Sequence, residues 1–290
     1  MLPLLSALRP AQWVKNVFVL APLVFAHQLG PNRATLLALA AFAVFCCAAS
    51  AVYLTNDLRD READRKHPGK SRRPIASGAV SPALATAVAA LLAGIALTGA
   101  ALFGLGFSLL LGAYLAINLA YSWGVKHVVI LDVMAVASGF VLRVLAGAAA
   151  TKVPVSSWLV LCTTFLALFL AFSKRRHELV LLAEGAAEQR RVLSQYSPAF
   201  LDQMINVVTA SAVIAYALYA VAPETVAKYG GEGLLYTVPM VLFGIFRYLY
   251  LMYQKPQARN PTEAILTDLP FLANVGLWSG AVLWIVYFRR

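Results

Sequence analysis

Charge is what this 290-residue sequence has least of: only 13% of its residues are Asp, Glu, Lys or Arg, and 13 acids stand against 24 bases for a net charge of +11. A soluble domain carries about a quarter of its residues as charge. The polar surface here is too small to cover a soluble globule, and an apolar content of 61% excludes disorder. Cysteine is scarce as well. Cys46, Cys47 and Cys162 all lie in apolar stretches without metal-type spacing, which leaves buried, reduced thiols as their reading. No Gly-rich dinucleotide or Walker pattern, no nucleophile elbow and no His/Cys metal cluster occurs. The chemistry of the common soluble enzymes is therefore not encoded.

What is present is apolar sequence in blocks. Nine can be marked, at 12–27, 34–55, 82–103, 106–123, 128–150, 156–173, 200–221, 234–253 and 269–288, each close to the ~20 residues that cross the hydrocarbon core as a helix. Uninterrupted runs such as ATLLALAAFAVFCCAASAVYL lack the short alternation of a membrane β-barrel. The expected fold is all-α: a polytopic membrane bundle of nine transmembrane helices, forming a single integral-membrane domain over residues 1–290. The opening MLPLLSALRPAQW reads as an interfacial lead-in, not a cleaved signal. Trp13, Tyr248, Tyr250, Tyr253 and Trp284 read as an aromatic belt at the membrane surface.

Sidedness follows from the basic residues. With the N-terminus in the cytoplasm, the loops on that side hold 17 of the 24 Lys and Arg, the opposite loops five, and Arg143 and Arg247 lie within spans. The positive-inside rule then places the N-terminus in the cytoplasm and, with nine spans, the C-terminus outside the cell membrane. Segments 56–81 and 174–199 are the two long loops, both on the cytoplasmic side, and loops of that length tend to carry function.

Four of the thirteen acids, Asp57, Asp60, Glu62 and Asp64, fall within eight residues at the end of the second block. On a continuing helix, at about 100° per residue, Asn56, Asp57, Asp60 and Asp64 share an arc of about 100°, with Glu62 on the far side. Carboxylates so placed repel unless a cation sits among them. Mg²⁺ suits that place, because it takes oxygen ligands and is usually held by a few carboxylates together with substrate phosphates. The downstream strip Lys66, Lys70, Arg72 and Arg73, broken by Pro68, Gly69 and Pro74, suits phosphate oxygens, or anionic lipid headgroups.

Asn-Asp-x-x-Asp-x-x-x-Asp at the end of the second of nine spans resembles the first acidic motif of the UbiA superfamily of intramembrane prenyltransferases, and the resemblance covers essentially the whole chain. It implies a cavity facing the cytoplasm in which this motif holds Mg²⁺ and a diphosphate. Members of that superfamily carry a second aspartate pair after the sixth span. Here the corresponding stretch is Phe172-Ser173-Lys174-Arg175-Arg176-His177-Glu178-Leu179, with a lysine in the first aspartate's place. That charge reversal points to a donor with more anionic groups, or a different anionic geometry, than a prenyl diphosphate; otherwise Lys174 and Glu178 are a helix salt bridge of about 0.3 kcal/mol.

Further segments resemble one branch of the superfamily, the decaprenyl-phosphate phosphoribosyltransferases. They are Leu8-Arg9-Pro10-x-Gln12-Trp13-x-Lys15-Asn16, Tyr121-Ser122 with Lys126, Ser138-Gly139-Phe140-x-Leu142-Arg143 and Lys174-Arg175-x-x-Glu178-Leu179. The branch implies transfer of 5-phosphoribose from phosphoribosyl diphosphate (PRPP) to a polyprenyl phosphate lipid, with release of diphosphate, towards lipid-linked arabinose donors of the cell envelope. On that reading Asp57 and Asp60 bind the Mg²⁺-diphosphate most directly, with Asn56 and Asp64 completing or orienting the site. Lys15, Lys70, Arg72, Arg73, Lys174 and Arg175 meet phosphates, Glu178 orients Lys174 or touches ribose, and Tyr121 and Lys126 line the cavity. Arg143 stands between a substrate contact and a structural role. The acceptor phosphate is already anionic, so neither His67 nor His177 is assigned as a base. No nucleic-acid partner is expected, and a homo-oligomer is left open. The competing readings are a UbiA-type enzyme that moves a prenyl diphosphate onto an aromatic or polar acceptor, and a non-catalytic carrier.

Overall fold

The computed structural model describes residues 3–66, 69–183, 192–254 and 267–288, and all regular structure among them is helical. Among the described residues, eight helices are long and apolar enough to cross a membrane. The chain divides into two compact units, Met1–Val155 and Ser156–Arg290, a division that the run of apolar blocks does not reveal.

In the first unit, α1 (Pro3–Ala7) leads into a 3₁₀ segment, Pro10–Val19, and then α2 (Ala21–Phe25). The first apolar block is thus not one α-helix but two short pieces. A 3₁₀ turn rises about 2.0 Å per residue against 1.5 Å in an α-helix, so the block reaches further than its length suggests. Runs of 3₁₀ beyond three or four residues need outside support. It comes from Trp13, whose indole N–H donates to Ser50 Oγ at 3.0 Å, and from Asn16, which is fully buried. Gly147 on α7 (Leu131–Thr151) supplies the rest: any Cβ there would run into the carbonyl oxygen of Val19.

The long helix α3 (Arg33–Arg59) starts where Asn32 Oδ1 accepts the Thr35 N–H, and α5 (Pro82–Phe103) starts where Ser81 Oγ accepts the Leu84 N–H with Pro82 in the first turn. Between them lies α4 (Arg61–Lys66), and after α5 comes α6 (Leu105–Trp123). Small side chains let these helices close on one another: Ala41 and Ala48 of α3, Ala96 and Ala100 of α5, and Ala146 and Ala150 of α7 are all buried around Phe45, Phe107, Leu111 and Tyr114. Phe45 packs edge-on to Phe107 with ring centroids 5.9 Å apart.

The second unit comprises α8 (Ser157–Ala183), α9 (Pro198–Val221), α10 (Pro223–Tyr229), α11 (Val238–Gln254) and α12 (Leu269–Tyr287). Residues 174–183, read from the sequence as the start of a loop, continue α8; the remainder of that loop between 184 and 191 lies outside the described residues, as do His67 and Pro68. Asp268 caps α12 by accepting the Phe271 N–H at 2.9 Å, and the same carboxylate takes the Arg247 guanidinium from α11. Tyr248, expected at the membrane surface, is buried against Phe169 with ring centroids 4.9 Å apart.

Candidate active site

The acidic motif sits where α3 gives way to α4. The helix pauses at Asp60, yet the Asp60 N–H still donates to Asn56 O at 2.9 Å and the Asp64 N–H to Asp60 O at 2.8 Å. The backbone ladder therefore carries the helical spacing across the break, and Asp57 and Asp64 stay on one side. Both are buried, at 3% and 4% exposure.

Their partners come from elsewhere in the unit. Arg73 NH1 lies 3.1 Å from Asp57 Oδ1 and 2.7 Å from Asp64 Oδ2, so one guanidinium nitrogen bridges the two carboxylates. Arg9 NH2 straddles the other side of Asp57, 2.6 Å from Oδ1 and 2.8 Å from Oδ2, while its guanidinium lies over the Tyr53 ring at 5.1 Å. Asp60 turns away and accepts from Lys126 Nζ at 3.0 Å. Asn56 Oδ1 accepts the Ser122 hydroxyl at 3.2 Å. Glu62, on the opposite side, pairs with Arg65 in solvent. The acids are thus neutralised by cations 9, 16, 48 and 66 positions away, not by the neighbouring Arg59 or Arg61.

The arc of four ligands is not gathered as one. Among the described residues no three His, Cys, Asp or Glu side chains form a metal cage. Asp57 and Asp64 do close on a single cation, which suits Mg²⁺ held by two carboxylates with its remaining positions left to water and phosphate oxygens. The donor set fits that mode: in this structure each of the four side chains has a partner of its own, Asp57 and Asp64 sharing Arg73 while Asp60 pairs with Lys126 and Asn56 with Ser122.

Of the other residues read from the sequence, Arg72 is exposed, and Lys15, Lys70 and Tyr121 are half-buried in the first unit. Arg143 is buried at 5% exposure. Its Nε donates to Asn16 Oδ1 at 2.7 Å, NH1 to Gly139 O at 2.7 Å and NH2 to the Tyr114 hydroxyl at 3.0 Å, with the Tyr114 ring 4.7 Å away. Those partners tie the 3₁₀ segment to α6 and α7. Arg143 is therefore a clamp inside the bundle and not part of the Asp57 cluster.

In the second unit Arg175 is buried at 3% exposure with NH1 2.6 Å from Glu178 Oε2, whereas Lys174 is exposed with Nζ 4.0 Å from Glu178 Oε1. The carboxylate is thus closer to Arg175 than to the lysine for which the sequence reading paired it. His177, which is not assigned as a base, is buried. Beside it Arg176, Asp202 and Tyr253 form a cluster that no local sequence pattern announces: Asp202 Oδ1 accepts from Arg176 Nε at 3.0 Å and from the Tyr253 hydroxyl at 2.6 Å. Arg9 is the other residue whose role was missed. Its signals were a lone charge in an apolar lead-in, followed by a proline, and its place in the first of the segments that resemble the phosphoribosyltransferase branch.

Comparison with known proteins gives a consistent result. The sequence profile of the UbiA prenyltransferase family matches residues 16–275. The chain is 37% identical to the decaprenyl-phosphate phosphoribosyltransferase of Corynebacterium glutamicum over 98% of this chain and 86% of that one. It is 39% identical to the protein of the same name from Mycobacterium tuberculosis, over 93% of this chain and 92% of that one. Among solved structures, a UbiA homologue from Archaeoglobus fulgidus bound to GPP and Mg²⁺ superposes with a TM-score of 0.72 at 19% identity, covering 98% of this chain and 99% of that one, a likeness of fold.

Proposed function

The chain belongs to the UbiA prenyltransferase family, and from that premise we propose that it is a membrane phosphoribosyltransferase that moves 5-phosphoribose from PRPP to a polyprenyl phosphate. The observation that carries this reading is identity of 35–39% to relatives of that name over 93–98% of the chain. The pairing of Asp57 and Asp64 around one cation supports it, as does the lysine at position 174.

In the transfer, the bond from ribose C1 to the diphosphate oxygen breaks, a bond from C1 to an oxygen of the lipid phosphate forms, and diphosphate leaves. The acceptor is anionic before it reacts, so no side chain has to remove a proton. Mg²⁺, held by Asp57 and Asp64, would supply positive charge to the departing diphosphate. Arg73 and Arg9 stand beside those carboxylates with forked donors suited to phosphate oxygens. Lys126 holds Asp60 and orients the end of the motif. On the second unit Lys174 and Arg175 are assigned as phosphate contacts, with Glu178 orienting Arg175. Lys15, Lys70, Arg72 and Tyr121 are assigned to the substrate lining of the first unit. The basic loops favour a cytoplasmic N-terminus and active site, with the C-terminus on the outer face.

The test is to incubate purified protein with Mg²⁺, PRPP labelled in the ribose and a polyprenyl phosphate, then extract the lipid. Label in the lipid phase, dependent on Mg²⁺, is expected. No label there, together with turnover of geranyl or farnesyl diphosphate on an aromatic acceptor, would replace this reading with prenyl transfer.

A further inference from the structure

Arg9 occupies the position in which the site's own cation would compete with Mg²⁺. It stands in the left-handed region, φ 54° and ψ 59°, between α1 and the 3₁₀ segment, a conformation that costs a non-glycine residue energy and persists only where its surroundings enforce it. The surroundings do so on both sides. Leu4, Ala7 and Leu8 pack with Leu54 near the end of α3 and with Ile75 and Val80 just after the basic strip, and Ser50 Oγ donates to Leu8 O at 3.1 Å while accepting from Trp13. The guanidinium is thus delivered to Asp57 by the fold, 48 residues away in sequence, and Arg73, two positions before Ile75 of that cluster, completes the set.

Two buried carboxylates, Asp57 and Asp64, are matched by two guanidinium groups, so the cluster is electrically neutral as it stands. Both oxygens of Asp57 already accept charged donors. A divalent cation arriving alone would have to expel a guanidinium and leave excess positive charge in a buried site. A cation arriving with a diphosphate would not, because phosphate oxygens offer the displaced arginines new acceptors. We propose that Arg9 is a positioning residue that makes metal binding conditional on the diphosphate donor: it holds Asp57 until PRPP arrives, then passes to the diphosphate as Mg²⁺ takes the carboxylate. Arg9 suits this exchange better than Arg73, because it touches only one of the two carboxylates. The inference rests on the Mg²⁺-diphosphate role proposed for Asp57 and Asp64 and adds an order of assembly to it.

By linkage, the factor by which diphosphate tightens Mg²⁺ equals the factor by which Mg²⁺ tightens diphosphate, and couplings of 5- to 150-fold are typical. The experiment measures Mg²⁺ binding by calorimetry to the full chain in lipid nanodiscs, without and with saturating inorganic diphosphate, for wild type, Arg9→Gln and Arg9→Lys. Wild type should bind Mg²⁺ weakly alone and on the order of tenfold or more tighter with diphosphate. Arg9→Gln should bind Mg²⁺ alone about tenfold more tightly than wild type, with the coupling reduced, while Arg9→Lys should restore much of the coupling. A merely structural arginine would weaken both measurements together, and that result, or an unchanged Mg²⁺ affinity in Arg9→Gln with coupling intact, overturns the proposal. If Arg9→Gln does not fold, Arg9→Lys decides: Mg²⁺ bound alone more tightly than by wild type, with most but not all of the coupling kept, supports the proposal, and Mg²⁺ bound more weakly both with and without diphosphate, or both values equal to wild type, overturns it. Absence of coupling in wild type, with PRPP as well as with inorganic diphosphate, would instead remove the Mg²⁺-diphosphate reading on which this rests.

Discussion

Two polar clusters in the first unit hold the same N-terminal segment, through Arg9 at Asp57 and through Asn16 at Arg143, and they are built in opposite ways. Around Asp57, charges of both signs meet: two carboxylates and two arginines, the arginines half-exposed. Around Arg143 there is one charge, buried at 5% exposure, and among the described residues its partners are an amide, a backbone carbonyl, a hydroxyl and aromatic rings. The first arrangement can exchange partners, because each ion pair can be traded for a pair with an incoming ion. The second cannot, because removing the guanidinium leaves neutral acceptors stranded in an apolar bundle. An arginine within a membrane span is a functional candidate by default, and here the number and kind of its acceptors separate the structural arginine from the reactive cluster.

That contrast can be broken by mutation. The largest effect is expected at Asp57→Ala, which should lower transfer by about 10² to 10³-fold while the protein still folds, measured as labelled lipid per folded molecule; unchanged transfer would refute the metal assignment. Arg143→Met should act on stability, by about 3 kcal/mol, read as a fall in thermal midpoint in detergent; a large loss of transfer with no change in that midpoint would move Arg143 into the active site. Gly147→Ala should destabilise by about 1–3 kcal/mol because its methyl group meets the Val19 carbonyl, and a midpoint equal to wild type would contradict the close crossing of the 3₁₀ segment over α7. Lys174→Asp should raise the KM for PRPP about tenfold, the loss of one charge-assisted hydrogen bond, whereas an unchanged KM would leave the charge reversal at that position without a role. Smallest is Tyr253→Phe. Its hydroxyl shares a half-exposed Asp202 with Arg176, so a loss of about 1 kcal/mol or less is expected in the same melting assay.

The helices were legible because a membrane segment declares itself by length and hydropathy. The acidic motif was legible because its i, i+3 and i+7 spacing is local. The Asp57–Asp64 side of the arc survives in the structure for that reason, since the backbone hydrogen bonds continue through Asp60. What pairs with the acids was not legible. Arg9, Arg73 and Lys126 reach them through tertiary packing over 9 to 66 positions, and no local pattern encodes such distances. The first apolar block misled for a related reason: composition marks residues 12–27 as apolar, but the 3₁₀ geometry depends on Ser50, Arg143 and Gly147, which lie in other helices. The loop expected from 174 starts later because α8 keeps its helical spacing through a charged stretch, where Arg175 and Glu178 pair at i, i+3.

The account is tested most directly by assaying Asp57→Ala and Arg143→Met side by side, each normalised to folded protein, for Mg²⁺-dependent transfer of labelled phosphoribose from PRPP into polyprenyl phosphate. It predicts loss of transfer in Asp57→Ala and near wild-type transfer per folded molecule in Arg143→Met. Equal loss in both, or loss in Arg143→Met alone, would contradict the division between a reactive cluster and a structural one.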